Sequence, residues 1–143
     1  MFAQPFDPII FAFIGLSAAV CLAAFVLGGA AERFGAVLLV VNTVAFLGLG
    51  YILPPSATAM LLLVDDGLTA LCLLAITLRY GSLWLGGCML FYAAQFTLHS
   101  FYFVTERAPD RFHAIVNNVN FLGMIVCLGV GTASTWMRRR RAA

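Results

Sequence analysis

Five long apolar stretches, divided by short polar or helix-breaking segments, dominate the pattern of the chain. An α-helix needs about 20 residues to cross a bilayer core about 30 Å thick, and each stretch is close to that length. The dividing segments hold charged residues, proline or glycine, which commonly end helices. The pattern predicts an all-α membrane bundle of five transmembrane helices, over about 8–31, 34–53, 57–78, 82–104 and 111–137.

The composition supports a membrane location for the whole chain. The 143 residues are 63% hydrophobic and 10% charged, and the mean hydropathy is +1.01, whereas soluble domains have about 25% charged residues. Too few polar side chains are present to cover a water-facing surface, so residues 1–143 are predicted to form a single integral membrane domain. The start, MFAQPFDP, has no basic group, so no cleaved signal peptide is expected.

The arginines predict the orientation, because cytoplasmic loops are enriched in basic residues. With the C-terminus inside, Arg33, Arg79 and the run Arg138 to Arg141 are cytoplasmic, and only Arg107 and Arg111 are outside. Six arginines on the cytoplasmic side against two outside favour an N-out/C-in orientation, with the N-terminus outside the cell membrane and the C-terminus inside. The terminal run follows an apolar segment, so contact with membrane lipids is expected and binding to nucleic acid is not.

Three predicted helices carry their most polar side chains at similar depth. Counted from the outer end at about 1.5 Å per residue, they lie roughly 8–14 Å into the membrane. Ionisable residues there face the bundle interior and pair. Adjacent aspartates point about 100° apart on a helix, so one is expected in the cluster and the other toward a second helix, a subunit interface or water. The residues are Asp65 and Asp66 in the third span, Gln95 and His99 in the fourth, and Asn117 and Asn120 in the fifth.

Each member of this polar layer has an expected role. The two aspartates carry charge, His99 exchanges a proton, and the three amides orient the others by hydrogen bonds. Two alternatives stay open: the amides and the imidazole serve only as hydrogen-bonding links between helices, worth about 1 kcal/mol or less each, or the third helix lies one turn further out and its acids reach the interface. The cost of acids in hydrocarbon favours a functional ligand- or proton-binding site.

Other chemistry has little support in the sequence. The cysteines Cys21, Cys72, Cys88 and Cys127 form no C-x-x-C pair, so neither a redox nor a zinc site is indicated. Hydrolase, metalloprotease and nucleotide-binding motifs are absent, so an enzyme is not expected. No cofactor or metal is predicted. Haem between His99 and His113, and a quinone among the aromatic residues of the fourth span, are the cofactors that remain open.

Small residues recur at every fourth position in two spans. Such strips let helix backbones approach closely, either within a bundle or between protomers, and the sequence does not separate the two. The strips are Gly15, Ala19 and Ala23 in the first span, and Gly123, Cys127 and Gly131 in the fifth.

The stretch LRYGSLWLGGCMLFYAAQFTLHSFYF, residues 78–103, resembles a region of small membrane proteins from Alphaproteobacteria, and the resemblance implies no activity. The leading functional hypothesis is a multi-pass protein of the cell membrane, in bacteria the inner membrane. It would hold a proton- or cation-responsive polar pocket in the outer half of the bilayer and act in transport or small-ligand sensing. The alternative is an accessory subunit of a larger respiratory or photosynthetic membrane complex. Either hypothesis allows a homo-oligomer or a larger assembly.

Overall fold

The described chain is all-α, as the sequence predicts. The computed structural model describes residues 8–52 and 54–142. The chain start, MFAQPFD, and the predicted end of the second span at Leu53 lie outside the described residues. The helices are α1 (Pro8–Leu27), α2 (Ala30–Ile52), α3 (Pro55–Tyr80), α4 (Leu83–Val104) and α5 (Arg111–Ala142).

Three helical stretches within the described residues are long and apolar enough to cross a membrane: Ala30–Leu49, Ala57–Tyr80 and Arg111–Ala142. The apolar stretch Phe11–Leu27 of α1 is shorter. α4 falls outside this group, and its 22 residues include Gln95 and His99. Together with the composition, the three long helices indicate a membrane protein.

The boundary between the first two helices lies four residues earlier than the sequence suggests. The prediction continues the first span to residue 31, whereas α2 begins at Ala30, after Gly28 and Gly29. Glu32 is the third residue of α2, and its Oε2 accepts a hydrogen bond from the backbone N–H of Gly29 at 2.8 Å. A glutamate at this position accepts a hydrogen bond from a free N–H at the helix start. Glu32 is therefore part of the first turn of α2, whereas the sequence prediction placed it between two helices.

The connection between α3 and α4 is as short as the sequence implies. Gly81 has φ +59° and its N–H donates to the Thr77 carbonyl at 2.9 Å, which ends α3. This left-handed conformation favours glycine. Ser82 then precedes α4, so α3 and α4 are neighbours.

The five helices form a closed ring. Each packs against the next in sequence, α5 packs against α1, and α2 also touches α5 across the ring. The end holding Glu32 and Thr135, which share a hydrogen bond, also holds the arginines Arg33, Arg79 and Arg138 to Arg141; it is called the arginine-rich end. The opposite end holds the segment 105–110 with Arg107, followed by Arg111, and is called the loop end.

The apolar interior has two parts that Trp84 connects. One lies among α1, α2 and α5, around Ala24, Ala36 and Ile125, and the other lies among α3, α4 and α5, around Leu85. A Cβ atom added at Gly131 would lie 2.6 Å from the Trp84 indole, and one added at Gly35 would lie 3.1 Å from it. The indole therefore occupies space that these two glycines leave open.

The two small-residue strips have different surroundings. On α5, Gly123 lies against Phe91 and Gly131 against Trp84, so this strip packs α5 onto α4 inside the bundle. On α1, Gly15 and Ala19 are exposed, and no described atom beyond the local chain lies within 4 Å of a Cβ built at Gly15. The strip on α1 therefore faces away from the bundle.

Substitution of Gly131 by alanine tests the position of Trp84. The added methyl group overlaps the indole, so Gly131→Ala should lower the free energy of unfolding by about 1–3 kcal/mol. Gly129→Ala is the matched control, because its nearest neighbour is Val20 Cγ1 at an ordinary 3.9 Å; stability should stay unchanged or rise by up to about 1 kcal/mol. Chemical unfolding in detergent measures both. Equal stability of the two variants would contradict this packing.

Candidate functional site

Asp66 is the centre of a polar cluster in the loop-end half of the ring. Only 5% of the residue is exposed. Its Oδ2 contacts Nδ1 of His99, and its Oδ1 accepts a hydrogen bond from the Tyr92 hydroxyl at 3.1 Å. A buried carboxylate is stable only when paired and hydrogen-bonded, and α4 supplies both partners from positions seven residues apart on one helix face.

The other ring nitrogen of His99 has two alternative partners. Nε2 lies 3.1 Å from Oδ1 of Asn117, which accepts hydrogen bonds, and 3.3 Å from Nε2 of Gln95, which donates them. The Gln95 amide also donates to Asn117 Oδ1. A protonated Nε2 can therefore donate to Asn117, and an unprotonated Nε2 can accept from Gln95. The surroundings of His99 accommodate both states of this nitrogen.

Asp65 faces a different helix from Asp66. Its Oδ2 accepts a hydrogen bond from Asn42 Nδ2 of α2 at 2.9 Å, and the same nitrogen lies 3.0 Å from the Tyr92 hydroxyl. Asn42 and Tyr92 therefore connect the two carboxylates through hydrogen bonds. Because successive residues of a helix point about 100° apart, the pair joins α2, α3 and α4 at one level.

Asn120, the last of the predicted residues, is buried without joining this network. Its side-chain Nδ2 has no hydrogen-bond partner among the described residues, and the same is true of Oε1 of Gln95. The structure thus joins Asp66, His99, Gln95 and Asn117 directly and Asp65 indirectly. Asn120 follows Asn117 by three residues and is buried, but its side-chain nitrogen forms no hydrogen bond with the described residues.

His113 extends the cluster toward the loop end. Its ring stacks on His99 with centroids 5.3 Å apart and 22° between the ring planes. The Tyr102 ring packs against it in a T-shaped arrangement, with the two ring centroids 4.7 Å apart. The Tyr102 hydroxyl donates to Asp110 Oδ1 at 2.7 Å, and Arg107 donates to Asp110 Oδ2 at 2.9 Å. A series of side-chain contacts therefore runs from Asp66 to the exposed loop.

Asp110 caps the start of α5. Its Oδ1 accepts a hydrogen bond from the backbone N–H of His113 at 2.9 Å. This bond is the main reason that the pKa of Asp110 lies below its ordinary value, and the Tyr102 hydroxyl and Arg107 lower it further. The cap therefore contributes stability above the ordinary aspartate pKa and loses it as the pH falls through the lowered value. The loop stays anchored at neutral pH.

Apolar side chains close the cluster on the side of the arginine-rich end. A cavity of about 40 Å³ lies beneath Asn42, Thr69 and Tyr92. The rest of its wall is apolar: Gly35, Leu38, Leu39, Leu73, Trp84, Cys88, Met124 and Leu128. The side-chain hydrogen bonds of the cluster therefore do not continue through this wall toward the arginine-rich end.

A second buried acid, Glu32, lies beyond this wall. It is 5% exposed, and its Oε1 accepts a hydrogen bond from the Thr135 hydroxyl of α5 at 3.0 Å. Together with the bond from Gly29 this satisfies both carboxylate oxygens, and the bonds fasten the start of α2 to the end of α5. No titratable side chain of the described residues forms an ion pair with Glu32.

Comparisons with models of known protein families, with characterised proteins and with solved structures found no match. The chemistry of the site therefore rests on its own geometry. Three contributors were not predicted as site residues: Asn42, Tyr92 and His113. Tyr92 shares a helical stripe with Gln95 and His99, which was a usable signal. His113 lies four residues before Asn117 on the fifth span, so the same spacing signal was available for it.

Removal of the Tyr92 hydroxyl tests the connection between the two acids. Tyr92→Phe leaves Asp66 Oδ1 without its donor and keeps the ring in place, so the free energy of unfolding should fall by about 1–3 kcal/mol. Tyr80→Phe is the matched control at the arginine-rich end, where Tyr80 is 39% exposed; its effect should stay within about 0.5 kcal/mol. Unfolding in detergent compares them. A Tyr92→Phe protein as stable as the control would refute the connection.

Proposed function

We propose that the chain is a five-span protein of the bacterial inner membrane, oriented N-out/C-in, with a proton-responsive pocket in the outer half of the bilayer. Six arginines lie at one end of the ring and two at the other, and this asymmetry supports the orientation. The arginine-rich end then contacts cytoplasmic lipid head groups. The response is a change of protonation at the side chains of Asp66, Asp65 and His99. The amides of Gln95 and Asn117 orient these side chains by hydrogen bonds.

The environment of His99 is the observation that carries this proposal. Asp66 holds Nδ1, which leaves Nε2 as the nitrogen that gains or loses a proton. Gaining it replaces the bond from Gln95 by a bond to Asn117, so the proton changes which helix contact His99 makes. A small rearrangement between α4 and α5 is the expected consequence. A small monovalent cation at the two carboxylates would use the same acids.

Of the two activities, sensing has the stronger support. Transport requires that the site open to each side of the membrane in turn. The apolar wall around Trp84 interrupts the side-chain hydrogen bonds on one side, while the contacts through His113 lead to the other. A pocket accessible from one side suits the detection of external protons or of a small ligand whose binding depends on them.

Proton uptake tests the proposed response. A pH jump on the purified protein, followed with an indicator dye, counts the protons taken up, and infrared difference spectra identify carboxyl and imidazole bands. His99→Gln and Asp66→Asn should each remove about one proton from the count and abolish the imidazole band of His99. Glu32→Gln is the matched control, a buried acid outside the cluster. Parent-like uptake in both cluster variants would refute the pocket.

An accessory subunit of a larger membrane complex is the second candidate, and the strip on α1 favours it. Gly15 and Ala19 give α1 a smooth exposed surface, which suits close packing against another transmembrane helix. That helix belongs either to a second copy of this chain or to a different subunit. This candidate needs no ligand for the polar cluster.

Mild extraction of the native membrane distinguishes the two candidates. Co-purification with a large complex that Gly15→Leu disrupts would favour the accessory subunit, because leucine prevents close helix approach. A free monomer or homo-oligomer would favour the pocket protein. Ala18→Leu is the control on the same helix; Ala18 is also exposed and lies outside the strip.

A further inference from the structure

His113 occupies the position between the polar cluster and the loop end. It is half-buried, one face stacks on His99, and Tyr102 contacts it edge-on. Neither ring nitrogen has a hydrogen-bond partner among the described residues. Its nitrogens are therefore available to water, although the ring itself is held by two aromatic contacts.

The groups facing His113 come from two elements. α4 contributes His99 and Tyr102, and the 105–110 loop contributes Asp110 and Arg107, which bind each other at 2.9 Å. The carboxylate of Asp110 is occupied by the Tyr102 hydroxyl, the His113 backbone and Arg107. Among the described groups, His99 is thus the base against which the His113 ring lies.

The opposite side of the cluster offers no comparable route. The cavity beneath Tyr92 and Asn42 has apolar walls, and the Trp84 indole fills the space between Gly35 and Gly131. The indole nitrogen has no hydrogen-bond partner among the described residues, so it does not extend the network. A proton moving toward the arginine-rich end would have to cross this apolar region.

We infer that His113 is a proton relay, which carries protons from the loop end to His99. This inference rests on the proposed function. A ring nitrogen of His113 takes a proton from a hydronium ion at the loop end, which becomes water, and a ring nitrogen then releases a proton through one water to Nε2 of His99. His113 returns to its neutral form, so no charge remains on it. The stacked pair thus holds one added proton at a time, because two imidazolium rings at 5.3 Å would repel.

The rate of proton uptake distinguishes this relay from a structural role. His113→Phe keeps an aromatic ring for stacking and removes the nitrogens, so uptake at His99 after a pH jump should slow on the order of 100-fold, while the infrared band of His99 reaches its full amplitude. His113→Ala should be equally slow, and added imidazole should restore its rate. Asn118→Ala, at an exposed position of α5, is the matched control and should match the parent.

Two results would overturn the relay. One is a parent-like rate in His113→Phe, which would mean that protons reach His99 by another path. The other is slow uptake in His113→Ala that imidazole does not restore, which would mean that the ring only supports the structure. Either result leaves the pocket itself standing if His99→Gln still abolishes the imidazole band, so failure of the relay is distinguishable from failure of the proposed function.

Discussion

The constraint on which the structure depends is the burial of the Asp66 carboxylate among apolar helices. An unpaired charge in such surroundings would cost several kcal/mol, so His99 and Tyr92 must meet it at one level of the bundle. Both belong to α4, and their contacts fix the register of α4 against α3. Asn117 then meets His99 and brings α5 to the same level. One acid thus specifies how three helices slide and rotate relative to one another.

Helical geometry made much of this cluster predictable from the sequence. The rise per residue gives depth and the 3.6-residue period gives the face, and these two quantities place one of the two aspartates with His99, Gln95 and Asn117. The same geometry indicates that the other aspartate points elsewhere, without deciding whether that is Asp65 or Asp66. It does not say where, because the rotation of α2 about its own axis decides whether Asn42 reaches Asp65, and that rotation depends on packing of apolar side chains such as Leu39.

Features that depend on loops and helix ends were not predictable in this way. In the sequence, Glu32 is a charged residue that would separate two membrane spans. In the structure it is buried, caps a helix and accepts a hydrogen bond from Thr135, 103 positions further along the chain. His113 reads as a residue of the membrane boundary. Asp110 determines its position, because the cap at Asp110 sets where α5 begins. Distant partners and the course of a six-residue loop leave no periodic signal in the sequence.

The contact between α1 and α5 has a consequence for the order in which the structure can be completed. The ring closes through its first and last helices, and α5 also supplies Asn117 to the polar cluster and Thr135 to Glu32. A nascent chain that has inserted only α1 to α4 therefore has an open seam along α1, and both His99 and Glu32 lack the hydrogen-bond partner that α5 supplies. Synthesis of the last helix supplies both missing partners, Asn117 for His99 and Thr135 for Glu32, in one step.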